Sequence, residues 1–405
     1  MTARWSTVAT AAGLVAPDGN TRPTIFAEMT ALATAAGAAN LGQGFPDTDG
    51  PLWVREIARA AILDGANQYP PGRGIPELRS AIAAHQLRHY GITVDPESEV
   101  MVSAGATEAL TATLLAFVGP GDEVVTLEPF YDSYAAAIAM SGAEHRTVPL
   151  RATADGFRLV EADLRAAMSA RTRILLINSP HNPTGTVLRP DELRMIADAA
   201  QASDAIVVTD EVYEHLTFDG AVHTPLATLP GMAERTISIS SAGKTFSLTG
   251  WKIGWATGPA DLISHVLTVK QFLTYSGGAP LQPAIARALS DGDADIRELR
   301  DSLAERRDVL VAGLHTAGFP TSQTEGTYFV CADAKPFLTD ATPDGDAFAR
   351  ALPELAGVAC VPLSAFCAPG SEAARSVASW VRFTFVKDRS VLDTAIDRLR
   401  AFAAE

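Results

Sequence analysis

The segment Thr236-Ile-Ser-Ile-Ser-Ser-Ala-Gly-Lys244-Thr-Phe-Ser-Leu-Thr-Gly-Trp-Lys252-Ile-Gly-Trp255 starts as a short run rich in β-branched residues. It then passes through small residues to a lysine. A strand that ends in a small-residue loop presents its next side chains at the carboxyl end of a sheet, where α/β folds bind ligands. The chain has five lysines, at 244, 252, 270, 335 and 387, and none precedes Gly243. Any chemistry that needs a lysine nucleophile must therefore use one of these. Lys244 has the context for it, whereas Lys270 and Lys335 fall in a helix-like run and a loop without chemical neighbours. Gly243-Lys244-Thr245 also resembles the end of a phosphate-binding P-loop. That motif needs a glycine five residues before its second glycine, and Ser238 stands there.

Outward from this segment, similar runs recur at Val100–Ser103, Glu123–Leu127, Arg173–Asn178, Ala205–Thr209 and Ile253–Thr257. Helix-like stretches such as Pro190–Ala202 lie between several of them. Buried strands alternating with helices predict an α/β fold with a mostly parallel sheet. After Gly277-Gly278-Ala279-Pro280 the pattern changes to long helices over 282–314, then strand-like Gly326–Val330 and Trp380–Phe385 and a helix over Ser390–Ala403. This predicts a smaller α+β domain. The expected division is an N-terminal segment 1–45 belonging with the small domain, a large domain 46–285 and a small domain 286–405.

Composition narrows the function. Of 405 residues, 47% are hydrophobic and 20% charged, an ordinary globular balance. The formal net charge is −15, with no basic run, which argues against nucleic acid and anionic membranes. The three cysteines, Cys331, Cys360 and Cys367, form no CxxC pair, so neither a disulfide framework nor a zinc site is expected and a reducing cytoplasm fits. The N-terminus makes a poor signal peptide. No Gly-x-Ser-x-Gly elbow is present, which disfavours a serine hydrolase. His85 and His89 stand four apart on a helix-like run, but no third ligand is evident, and they read as histidines of a solvated face.

Five further segments join the first. They are Asn40-Leu-Gly-Gln-Gly44-Phe-Pro-Asp, Ser103-Ala-Gly-Ala-Thr-Glu108, Asn178-Ser-Pro-His-Asn182-Pro-Thr-Gly, Asp210-Glu-Val-Tyr213 and Val381-Arg382-Phe-Thr-Phe. Taken in order, the six resemble the class I/II aminotransferases of fold type I, from about residue 22 to the C-terminus. Gly42–Asp47, Asn67–Gly72 and Glu128–Tyr134 are most similar to the group containing kynurenine/glutamine aminotransferases and actinobacterial N-succinyldiaminopimelate aminotransferases.

The resemblance implies a seven-stranded, mostly parallel sheet and a pyridoxal 5'-phosphate cofactor held covalently by Lys244. It implies an L-amino-acid donor, a 2-oxo acid acceptor and a homodimer with shared sites. Asp210 would keep the pyridine nitrogen protonated; taken alone, it reads more readily as a helix cap. Asn182 and Tyr213 would bond the ring's phenolic oxygen, with Asn178 in support, although Asn182–Gly185 is also a turn sequence. Gly105, Ala106 and Thr107 open a helix suited to phosphate. Ser241 and Lys252 would add a hydroxyl and a charge. Tyr131 would stack on the ring, with adjacent Phe130 as a rival and a core role open to either. Tyr69 would reach the neighbouring subunit's phosphate. Arg382, alone in an apolar strand, would bind the substrate α-carboxylate, with a structural ion pair as the alternative. Gly44 and Asn182 would adjoin the substrate. The pocket lining expected to separate donors is Phe26, Gly44, Phe45, Tyr69, Arg73 and Tyr275. Arg73 reads either as a receptor for a distal carboxylate or as an exposed loop arginine.

Overall fold

The computed structural model describes residues 4–16, 18–153 and 155–404. Seven strands form the large sheet: β1 (Val100–Ser103), β2 (Glu123–Glu128), β3 (Glu144–Pro149), β4 (Thr172–Asn178), β5 (Ile206–Asp210), β6 (Thr236–Ser241) and β7 (Gly254–Thr257). Their order is β1-β7-β6-β5-β4-β2-β3. β7 runs antiparallel to both neighbours and the other pairings are parallel. Six of the strands match the sequence reading to within one residue at either end. The exception is β3, whose sequence Glu-His-Arg-Thr-Val-Pro is too polar to read as buried; it lies at the sheet edge and only Val148 is fully covered.

The sheet is sealed by apolar clusters on its two faces. Met101, Val124, Ile174, Leu176, Val208, Ile237 and Ile239 form one core with the helix Ala106–Phe117. Val125, Leu175, Ile177 and Val207 form another with the helix Pro190–Ala202. This alternation of faces is the period of two expected of a strand covered on both sides.

The C-terminal part holds a three-stranded antiparallel sheet in the order β8 (Phe329–Asp333), β10 (Trp380–Thr384), β9 (Val361–Pro362). The long helices over 282–314 are observed as Gln282–Asp291 and Asp293–Thr316. Chain segments from both ends meet here. Ala39–Asn40 pairs in parallel with Val358–Ala359, and Thr384 N donates to Leu41 O at 2.8 Å. This pairing carries Gly42–Phe45 towards the carboxyl ends of β4, β5 and β6. The N-terminus that makes a poor signal peptide is helical over Arg4–Ala11, while residues 1–3 and 17 lie outside the described residues.

Three expectations are corrected. Lys270 is not without neighbours: it is buried at a helix end, and Nζ donates to Gly72 O at 3.0 Å and Tyr275 O at 2.7 Å. Those carbonyls solvate a charge that burial would otherwise disfavour. His85 is not on a solvated face, although His89 one turn later is exposed as expected. His85 is fully buried, and His215, contributed by the turn after β5, is the third imidazole that spacing along the helix could not reveal. Arg73 is neither free nor exposed: its guanidinium is half-buried and donates to Ser98 O at 3.0 Å and Val100 O at 3.3 Å.

Candidate active site

A cavity of about 320 Å³ opens at the carboxyl ends of β4, β5 and β6, against the start of the helix Ala106–Phe117. Strand ends lead side chains into it in sequence order. β4 ends on Asn178, β5 on Asp210 and β6 on Ser241, and the next turn is the short helix Ala242–Thr245 that carries Lys244.

Asp210 is buried. Tyr134 Oη donates to its Oδ2 at 2.6 Å, and the Val212 amide approaches Oδ1 at 3.4 Å. Burial raises its pKa to about 6, against the lowering effect of the Tyr134 hydrogen bond. Asn178 fixes the floor: its Nδ2 donates to Asp210 O at 2.7 Å, and its Oδ1 accepts from Asn182 N at 2.7 Å.

Lys244 Nζ donates to Tyr328 Oη at 2.9 Å, and Tyr328 Oη donates on to Gly44 O at 2.6 Å. Tyr213 is buried with its ring 5.2 Å from that of Tyr328. Gly44 must be glycine, since a Cβ there would lie 2.5 Å from Phe329 Cζ.

Opposite, the helix Ala106–Phe117 begins at Gly105, which has φ +78° and supplies no capping side chain. Its first amides therefore face the cavity unpaired within the helix. A Cβ on Gly105 would sit 3.2 Å from Lys252 Nζ and crowd it, and the positive φ itself favours glycine beside the helix terminus. Ala106, Thr107, Ser241 and Lys252 all line the same end.

Arg382 lies on β10 and is 1% exposed. It donates to Asn182 Oδ1 at 2.9 Å and Gly42 O at 3.0 Å, and its Nε has no partner among the described residues. Among the described residues no carboxylate forms an ion pair with it, although Asp132 acts on it at longer range. Phe329 and Phe366 flank the guanidinium at 3.9 and 4.5 Å from their ring centres. Burial lowers its pKa to about 10. A buried guanidinium with no direct carboxylate partner and a free N–H is a receptor for an anion.

The structure thus brings together Gly44, Gly105, Ala106, Thr107, Tyr131, Asn178, Asn182, Asp210, Tyr213, Ser241, Lys244, Lys252 and Arg382 around one cavity. Tyr131 lines it, while Phe130 turns into the core against His145. Tyr69 does not line it: the ring is 82% exposed and packs edge-on against Tyr275 at 5.7 Å. Arg73 and Tyr275 lie outside the lining too, whereas Phe26 and Phe45 are in it. Sequence reasoning missed Tyr134 and Tyr328. Tyr134 stands one helical turn after Tyr131, a spacing that could have flagged it. Tyr328 sits in the apolar Tyr-Phe-Val run, where an aromatic reads as core.

Residues 37–399 match the family model "Aminotransferase class I and II". The chain belongs to this family. Its cofactor is accordingly pyridoxal 5'-phosphate. The chain is 56% identical over 384 residues to a protein of Mycobacterium tuberculosis named probable N-succinyldiaminopimelate aminotransferase DapC, covering 94% of this chain and 96% of that one. The solved structure of N-succinyldiaminopimelate aminotransferase from that organism superposes with a TM-score of 0.90 at 55% identity, over 94% of this chain and 97% of the other. Methionine aminotransferase of Escherichia coli is 39% identical, over 93% of this chain and 95% of its own. Kynurenine–oxoglutarate transaminase 3 of mouse is 38% identical, over 94% and 88%. The chain is a transaminase of the α/β, fold type I architecture. Among the described residues, no helix is long and apolar enough to cross a membrane.

Proposed function

We propose that this chain transfers the amino group of N-succinyl-LL-2,6-diaminopimelate to 2-oxoglutarate, a step of lysine biosynthesis. The observation that carries the substrate is the 56% identity, spread over 94% of the chain, to the mycobacterial relative of that name.

The residues present suit the cofactor. The glycine cradle at Gly105, with Lys252 and the open helix terminus, suits a phosphate. The unpaired Arg382 Nε suits a carboxylate. When bound, pyridoxal phosphate supplies an electron sink that acidifies the substrate Cα–H. Lys244 Nζ anchors the group at rest and, once free, moves the proton at Cα as base and then acid. Tyr328 Oη holds that amine in place. Asp210, ionised, keeps a proton on the pyridine nitrogen, and Asn182 and Tyr213 bond its phenolic oxygen. Tyr131 covers the ring face, and Ala106, Thr107 and Ser241 complete the phosphate site. Arg382 orients the α-carboxylate beside Gly44 and Asn182. The amino donor and the oxo acid occupy this one site in turn.

We further propose a cytoplasmic homodimer. Three free, buried cysteines suit a reducing compartment. Tyr69, Phe272, Leu273 and Tyr275 form an exposed aromatic patch suited to a second copy. In such a dimer Tyr69 reaches the partner's phosphate. The segment 1–45 counts with the small domain 286–405, and 46–285 is the cofactor domain.

One observation favours a second reading, an aromatic, kynurenine, glutamine or methionine aminotransferase with cysteine-S-conjugate β-lyase side activity. The cavity lining includes Phe26, Phe45 and Phe329, and its only arginine is Arg382, so a distal carboxylate finds no second guanidinium among the described lining residues. The test is a half-reaction: holoenzyme mixed with excess N-succinyl-LL-diaminopimelate and no oxo acid. Loss of the visible cofactor band faster than with methionine, glutamine, phenylalanine or kynurenine supports the first reading. A holoenzyme inert to this donor but converted by an aromatic or sulfur amino acid moves the function to the second.

A further inference from the structure

Away from the cavity, three imidazoles converge. His85 and His89 lie one turn apart on the helix Pro76–Tyr90, and His215 belongs to the turn that follows β5. One ring nitrogen from each lies within 4.8 Å of one from each of the others. The rings pack mutually, with centroids 4.5, 4.9 and 4.8 Å apart for the pairs 85–89, 85–215 and 89–215. Their direct hydrogen bonding leaves capacity over. His85 Nε2 and His215 Nε2 share one bond at 2.7 Å, and His85 Nδ1 is buried with no partner among the described residues. A cluster that needed only packing would be built from carbon, because burying an unbonded ring nitrogen costs free energy.

We propose that His85, His89 and His215 form a site for one zinc ion per chain. Three neutral imidazoles are a nitrogen set that zinc accepts, with a fourth position left for water on the half-exposed His89 side. A tetrahedral ion about 2.0–2.1 Å from each nitrogen sets them about 3.4 Å apart. The His85–His215 contact opens by a fraction of an ångström to reach this, and His89 closes by rotation of its ring. Asp293 lies 3.3 Å from His89 Nε2 and supplies the outer carboxylate that metal-bound imidazoles use. Arg88, the neighbouring cation, is already paired with Asp293 at 3.1 Å. The ion joins the helix Pro76–Tyr90 to the turn that also carries Tyr213, and so staples one wall of the cavity.

The experiment uses holoenzyme, so that the phosphate site is filled, stripped with chelator and dialysed against zinc sulfate alone. Expected are one zinc retained per chain, a raised Tm and, with cobalt substituted, the visible bands of a tetrahedral nitrogen site. His89→Ala changes a partly exposed ring and keeps the fold; it should lose the retained zinc, the Tm increment and the cobalt bands together. Asp293→Asn should weaken zinc roughly 10–100-fold. Holoenzyme that retains no zinc, or that retains it equally in His89→Ala and His215→Asn, overturns the proposal.

Discussion

Arg382 has two backbone and amide partners, two aromatic walls and one unused N–H, and this arrangement defines what can replace it. Lysine keeps the charge but loses the planar fork and the stacking. Arg382→Lys should therefore raise KM for the amino acid and lower kcat/KM on the order of 100-fold, the scale of breaking a buried charge-assisted pair, while the cofactor's absorption spectrum stays unchanged. Asp210 gives a pH prediction. Burial lifts its folded pKa to about 6, above the ordinary 3.8. For a raised carboxyl, the stability contributed by the bound proton is full below the unfolded value and lost as pH rises through the folded one. Cofactor-free protein should thus lose stability from pH about 4 to about 6 through this group, seen as a falling urea midpoint, and Asp210→Asn should flatten that limb. Tyr134→Phe removes the 2.6 Å hydrogen bond that favours the ionised form, so the same limb should extend to higher pH. At this scale the sequence was informative wherever a motif fixes a residue type. Lys244, Asp210 and Arg382 were legible because each is a charged group at a strand end or inside an apolar strand. Tyr134 and Tyr328 were not, because their roles come from partners 76 and 84 residues away.

The helix Ala106–Phe117 shows how an element is committed to its ligand. Its N-terminal residue is a glycine with φ +78°, and the strand β7 presses against it so closely that a Cβ on Gly254 would lie 2.5 Å from the Gly105 carbonyl carbon. Gly105→Ala strains the backbone and pushes on Lys252. The strain is about 1–3 kcal/mol, so the variant should release cofactor about 5–150-fold more readily in equilibrium dialysis. Donor preference should not change, because no substrate contact is touched. Strand runs of four to seven apolar residues were readable from composition and period, and so was the helix Pro190–Ala202. The edge strand β3 was not, since an edge exposed to water carries the same polar residues as a loop. The histidine pair on Pro76–Tyr90 was misread for a related cause. The helix buries Leu78, Ala81, Ile82, His85 and Gln86 together, so its polar residues do not mark its solvent side.

Among the described residues, several aromatic side chains on one pair of loops stand largely in water. Phe272 is 83% exposed and Tyr69 82%, with Leu273 and Tyr275 half-exposed nearby. Buried Lys270 ties Gly72 to Tyr275 through its ammonium, so the two loops that carry Tyr69 and Tyr275 are joined before any partner arrives. A fixed aromatic patch of this kind loses little side-chain freedom on docking, which favours association. Phe272→Asp places a charge on the most exposed of these rings. It should convert a dimer to a monomer in sedimentation velocity, and the monomer should hold its cofactor less tightly because Tyr69 no longer reaches a neighbouring phosphate. Tyr69→Phe keeps the ring and removes only the hydroxyl. It should remain a dimer and weaken cofactor retention by the value of one charge-assisted hydrogen bond, about 1.5–3 kcal/mol or on the order of 10–150-fold. The two variants separate assembly from phosphate binding. A Phe272→Asp chain that sediments like the parent would place the interface elsewhere. A Tyr69→Phe dimer with undiminished cofactor affinity would leave Tyr69 as an aromatic contact of that interface and nothing more.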